Sequence, residues 1–263
     1  MRFASQLLGF SLAVMGSGWL ASCSENKTAE TTAAVRGPEP ASDPKAVAIA
    51  DRVMKEMGGK DGWDKTRYLA WDFFGNQYQI WDKKTGDFHW EKDTLVANYN
   101  LNSKQGHVYS RGKDVSATPA GKEVLDKLTP IWINNSYWLV MPFKLEDPGV
   151  TLKYLGEGKT MDGAATDRLQ MTFNKVGVTP DNRYEVLVNR NTGLIDEWAY
   201  FPKASDAEPA FRRRWNEYNR HGEILLASGR SEADKPSRFE YVTAAQTVPE
   251  GVMTSATPVA KLK

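Results

Sequence analysis

The chain has 263 residues, with 34 Lys and Arg against 33 Asp and Glu, and it carries one cysteine. A net charge of +1 provides no bulk field for nucleic acid, and a single thiol excludes an intrachain disulfide and a multi-cysteine zinc site. The 41% of apolar residues can build one sizeable core, and 9 Trp, 10 Tyr and 10 Phe give it an unusual aromatic content.

The N-terminus reads as an export signal: Arg2 is followed by an uncharged stretch from Phe3 to Leu20 that includes Leu7, Leu8, Phe10, Leu12 and Trp19. Leu20-Ala21-Ser22-Cys23 then resembles the lipobox of bacterial lipoproteins, which implies cleavage before Cys23 and lipidation of the new terminus. Ordinary signal cleavage nearby and an uncut membrane-spanning helix are the alternatives, since about 20 apolar residues can cross a bilayer. Ser24, where inner-membrane lipoproteins often carry Asp, points through the same resemblance to the outer membrane. Loss of residues 1–22 removes Arg2 and leaves 33 basic and 33 acidic side chains. Residues 23–42 are small and polar, unable to support a core, and read as a tether between the lipid and a single domain over 43–263.

That domain opens with Asp43 as a helix cap and Pro44 at the first helical position. Val47, Ala50, Val53, Met54 and Met57 recur at helical spacing, and Gly58 and Gly59 stop the run. From Arg67 short aromatic-rich runs broken by turn residues predict an antiparallel meander. Tyr78 with Ile80 and Phe88 with Trp90 alternate around a Lys-Thr-Gly turn. Residues 117–150 interrupt it: Thr118-Pro119 and Thr129-Pro130 predict the caps of two consecutive short helices, and Pro142 ends the second. Strands resume from Val150, with a hairpin around Asn191, Thr192 and Gly193. Residues 211–229 fit either a helix or an aromatic strand, and the flanking strands favour strand. In that case Arg213 faces opposite to Arg212 and Arg214. The composite is an α+β fold: a long, strongly curved antiparallel sheet over 67–115 and 150–245, with helices packed on its concave face.

Within that layout, NSYWLVMPFKLEDPGV at 135–150, preceded by WDFFG and followed by NRNTGLIDEW and WNEY, resembles the LolA/LolB-like half-barrel family of outer-membrane lipoprotein-sorting proteins. The nearest likeness is to its uncharacterised lipid-anchored relatives, and it covers most of residues 43–250. It implies a half-barrel whose interior takes lipid or lipoprotein acyl chains. One departure matters, because the soluble carrier of that pathway has no lipid anchor, whereas a lipidated Cys23 ties this chain to a membrane.

Catalytic patterns are fragmentary. Ser42-Asp43-Pro44-Lys45 and Lys84-Thr85-Gly86 match two of the three penicillin-binding motifs, but Ser42 lies at the tether boundary and the third motif is missing. His89, His107 and His221 form no metal-binding pattern. The sequence therefore predicts no enzyme, no cofactor and no nucleic-acid partner. The candidate anchor is Cys23. The candidate ligand contacts are Tyr137, Trp138, Met141 and Phe143 from the 137–143 stretch, Trp71, Trp81 and Trp90 from facing strands, and Arg213 for a headgroup. The expected function is that of a periplasm-facing lipoprotein binding an apolar ligand. The alternative is an anchored structural or interaction domain with a filled core.

Overall fold

The computed structural model describes residues 41–174 and 181–262. The export signal, the lipobox with Cys23 and the tether up to residue 40 lie outside the described residues.

Helix α1 (Pro44–Glu56) starts as expected, with Asp43 accepting from the Lys45 N–H at 2.8 Å. It buries Ala46, Ala50 and Val53, and Met57 at its end is also enclosed. Gly58 and Gly59 do stop α1, but a second helix, α2 (Gly59–Lys65), begins at once. Seven residues containing two glycines have little helical preference of their own. Tertiary contacts hold α2 instead: Trp63 stacks on Phe143 with centroids 4.4 Å apart. At Gly58 (φ 116°) a Cβ would stand 2.3 Å from the Glu223 carbonyl oxygen, so the junction needs glycine.

The first sheet is antiparallel in the order β14-β1-β2-β3-β4-β5-β6, where β1 is Tyr68–Asp72, β2 Tyr78–Asp82, β3 Asp87–Lys92, β4 Leu95–Asn100, β5 Gln105–Ser110, β6 Lys113–Asp114 and β14 Glu240–Ala245. The Lys-Thr-Gly segment makes the β2–β3 turn, with Gly86 at φ 80°. A second sheet follows in the order β11-β10-β9-β8-β7, from β7 (Val150–Lys159), β8 (Ala165–Phe173), β9 (Arg183–Asn189), β10 (Ile195–Phe201) and β11 (Phe211–Arg214). Strands β12 (Asn216–His221) and β13 (Ile224–Gly229) pair as a separate ribbon. The fold class is α+β with antiparallel sheets that do not close into a barrel, in keeping with a curved, half-barrel-like sheet.

The single sheet expected from the sequence is thus divided. The break falls at Trp215, fully buried, where the ladder changes partners: its N–H bonds to Asp196 O at 2.7 Å while the Arg214 N–H goes to Ser231 O at 2.8 Å. Glu217, two residues on, adopts φ 59°. A ladder that loses register there leaves β12 free to pair with β13 instead of β10.

Between the two large sheets in sequence runs one helix, α3 (Pro119–Val140), followed by a 3₁₀ turn, Met141–Lys144. Thr118 caps it, accepting from the Gly121 N–H at 3.1 Å. Thr129 does not start a second helix: its hydroxyl meets the Tyr99 hydroxyl at 3.0 Å, and Pro130 is carried inside a continuous α3. An internal proline costs about 3 kcal/mol. Packing on both sides of it offsets that cost, because Leu128 is sealed among Phe88, Trp90, Tyr99 and Val108 and Trp132 meets Trp81 at 5.0 Å.

The strand register puts Leu69, Trp71, Gln79, Trp81, Phe88 and Trp90 on the face that meets α3. The opposite face of the same strands, with Tyr68, Ala70, Tyr78 and Ile80, is covered by the C-terminal segment through Val252, Met253, Val259 and Leu262.

Candidate functional site

The second half of α3 governs the site. Trp132, Ile133, Ser136 and Tyr137 recur at helical spacing on one side, where they meet Lys144 and Asp147 of the following turn, Val150 of β7 and Phe173 of β8. Together they enclose a mainly apolar pocket of about 220 Å³. Apolar cavities of roughly 150 Å³ already take benzene-sized guests, so this one admits a ring or a short run of methylenes rather than a whole diacyl lipid. At its edge Lys144 pairs with Asp147 at 2.6 Å, both partly exposed. Tyr137 lies 6.3 Å from Phe173 and 5.6 Å from Tyr184, ring to ring. Its hydroxyl is enclosed without a hydrogen-bond partner among the described residues, and burial pushes the phenol well above its ordinary range.

The 137–143 stretch divides between pocket and core. Tyr137 lines the pocket. Trp138 turns to the second sheet, edge-on to Trp198 at 4.7 Å and tilted on Phe211 at 5.5 Å. Met141 and Phe143 are buried in the main core. Of the strand tryptophans, Trp71 is fully enclosed, Trp81 packs on Trp132, and Trp90 donates to Gln77 Oε1 at 2.7 Å. All three face α3, as the register dictates, but none of them lines the pocket. Arg213 does lie opposite to Arg212 and Arg214: it faces Trp138 at 5.7 Å and pairs with Glu232 at 2.6 Å.

The end of α3 is fixed by a residue to which sequence reasoning gave no role. Arg230, fully buried at the end of the ribbon, donates from Nε and Nη2 to Trp138 O at 3.1 and 2.7 Å. It also lies over the Trp215 ring at 3.6 Å. Helix α3 has no basic residue in its last turn, so Arg230 supplies the cation that a helix C-terminus favours. Burial lowers its guanidinium to about 9.

Neither a protein-family model nor a curated protein matches the chain. Solved structures similar to it include a DUF1329 family protein from Desulfovibrio piger, at 11% identity and a TM-score of 0.40, covering 79% of this chain and 96% of that one. An uncharacterized conserved protein from Thermus thermophilus is similar at 11% identity and a TM-score of 0.27, covering 83% and 97% respectively. Likeness at this level assigns no residue a role.

Trp132, Ile133, Lys144 and Phe173 were not singled out by sequence reasoning. The missed signal is the continuity of α3: an unbroken helix puts 133 one turn below 137 on the same side, whereas a helix restarted at Pro130 leaves that register open. Among the described residues no three His, Cys, Asp or Glu side chains are grouped to hold a metal ion, and no helix is long and apolar enough to cross a membrane.

Proposed function

We propose that this protein is a periplasm-facing lipoprotein, anchored through Cys23 in the outer membrane, whose LolA/LolB-like domain binds one apolar chain and catalyses no reaction. The observation that carries the reading is the apolar pocket walled by Trp132, Ile133, Tyr137 and Phe173. The Leu-Ala-Ser-Cys segment after an apolar run supports the anchor. A lipid or lipoprotein acyl chain is the ligand class that suits both. Chain methylenes fill the pocket at about 0.8 kcal/mol each, and Lys144 at the edge suits a polar or anionic head.

A second reading has its own support. Trp138, Met141, Phe143 and Trp71 pack into a filled core, which suits an anchored structural or interaction domain equally well.

Native mass spectrometry of the mature protein purified from membranes separates the two. A stoichiometric acyl ligand, lost in Ile133→Trp while the fold is retained, is the expected result. No ligand from membranes and no uptake of a fluorescent acyl probe by the native chain overturns the binding role and leaves the structural one. Cys23→Ala is expected to abolish incorporation of a fatty-acid analogue and to move the chain out of the membrane fraction. Unchanged labelling and fractionation overturns the anchor.

A further inference from the structure

A second concavity, of about 440 Å³, opens where α2 ends, β1 begins and the β2–β3 hairpin turns. Its walls carry Lys65, Arg67, Lys83 and Lys84 against a single acidic side chain, Asp64. The acids nearby are already engaged: Asp64 pairs with Lys60, and Asp82 accepts from Arg67 at 2.9 Å. Lys65 reaches Glu223 only at 3.7 Å, with both side chains largely exposed, a pair of small worth. Lys83 and Lys84 have no carboxylate partner among the described residues.

Lys83 is the telling member. Its ammonium, more than half buried, donates to the Trp63 carbonyl oxygen and sits 3.4 Å from the Trp63 ring centroid. Capping α2 accounts for one cation there. It does not account for three more cations around the same concavity, or for the repulsion that Lys144 and Lys60 exert on this amine. Burial brings the Lys83 amine down to about 8; the Asp64 carboxylate draws it up, and Lys144 and Lys60 push it down again. A half-buried cation without an ion-pair partner, whose one acidic neighbour Asp64 is shared with Lys60, beside an open, cation-walled space is the arrangement that an anion relieves.

We propose that this concavity is an anion-binding site that takes a phosphate group, with Lys83 at its base and Lys65, Arg67 and Lys84 around it. Lysine ammonium groups serve phosphate as point charges, and the volume leaves room for an organic substituent on the phosphate. The site shares no lining residue with the apolar pocket. The phosphate can come free from the periplasm or as the headgroup of a phospholipid, and the chemistry of the site is the same.

The test uses the full chain reconstituted in vesicles and follows acetylation of the Lys83 amine at pH 7 by peptide mass spectrometry, with exposed Lys122 as internal reference. Only the neutral amine reacts, so an anion that raises its pKa by one unit slows labelling about tenfold. In phosphatidylcholine vesicles, inorganic phosphate is expected to slow Lys83 relative to Lys122 by roughly that factor, compared with chloride at equal ionic strength. Phosphatidylglycerol vesicles without phosphate are expected to do the same if a headgroup is the source. Protection in either arm supports the site and names the source. Lys65→Gln with Lys84→Gln, both at exposed positions, is expected to abolish the protection while circular dichroism stays unchanged. Equal Lys83 labelling in every arm, or full protection in the double variant, overturns the proposal.

Discussion

The two large sheets protect their outer faces in different ways. On the first sheet a separate piece of chain does it: residues 246–262 lay Val252, Val259 and Leu262 over Tyr68, Ala70, Tyr78 and Ile80. A buried polar latch fastens that strap. Glu91 accepts from the Val259 N–H and from Lys261, both at 2.6 Å, and meets His89 Nε2 at 3.0 Å. Asn98 donates to Ser255 O at 2.8 Å. On the second sheet the strands shield themselves. Glu197, fully buried, is covered by Arg212 and accepts from the Met161 N–H at 2.7 Å. Arg183 lies 3.5 Å from the centre of the Phe201 ring. Long charged side chains can cover apolar area with their stems while their heads stay wet. An outer face built of Tyr, Ala and Ile has no such stems and needs a strap.

The comparison breaks most severely if the strap is removed. Truncation after Gln246 exposes the Tyr68–Ile80 face and frees Glu91, and we expect a loss of more than about 4 kcal/mol, with association of the sheets. A urea midpoint close to that of the full chain would show that the strap is decoration. Next comes Glu91→Ala, which leaves His89, Lys261 and the Val259 N–H unsatisfied and is expected to cost about 3 kcal/mol in chemical denaturation. Hydrogen exchange should rise first in residues 255–262, not in the second sheet.

On the second sheet the pair itself is asymmetric. Glu197→Ala should cost about 2 kcal/mol, because it strips a buried acceptor from a backbone N–H and an arginine. Arg212→Ala should cost under about 1 kcal/mol, since its side chain is 43% exposed and water replaces the contact. Equal losses for the two would contradict self-shielding.

The smallest effect is graded with pH. Burial works upward on Glu91, but hydrogen bonds from His89, Lys261 and Val259 hold its carboxyl below the ordinary value of 4.5. A carboxyl depressed in the folded state contributes stability that is present above the unfolded value and lost as pH falls through the folded one. Exchange of the strap amides should therefore accelerate, relative to core amides, once pH drops below the ordinary value of 4.5 and on through the lower folded one. Glu91→Gln should remove that step, and an unchanged acid profile in the variant would exclude Glu91 as its source.

How much of this was legible follows from where each signal resides. Asp43-Pro44 and Thr118-Pro119 announced their helices because a cap is satisfied within three residues of itself. The Lys-Thr-Gly turn and the facing of Arg213 were equally local, set by backbone conformation and strand alternation. Thr129-Pro130 carried the same signal as Thr118-Pro119 and meant something else, since Tyr99 and the Trp81–Trp132 contact hold the helix through the proline. Helix α2 and the strap were invisible because their support comes from Phe143 and from Glu91, far away in sequence.

By itself, then, the sequence determined the α+β class, the starts of α1 and α3, and the aromatic surfaces of the strands. Each of these is written in neighbouring residues through periodicity and capping. Tertiary structure decided that α3 is one helix, that Trp138 goes to the core while Tyr137 borders a pocket, and that Lys83, without an ion-pair partner among the described residues, stands beside three other cations. Those outcomes depend on distances between residues remote along the chain, and only packing creates them.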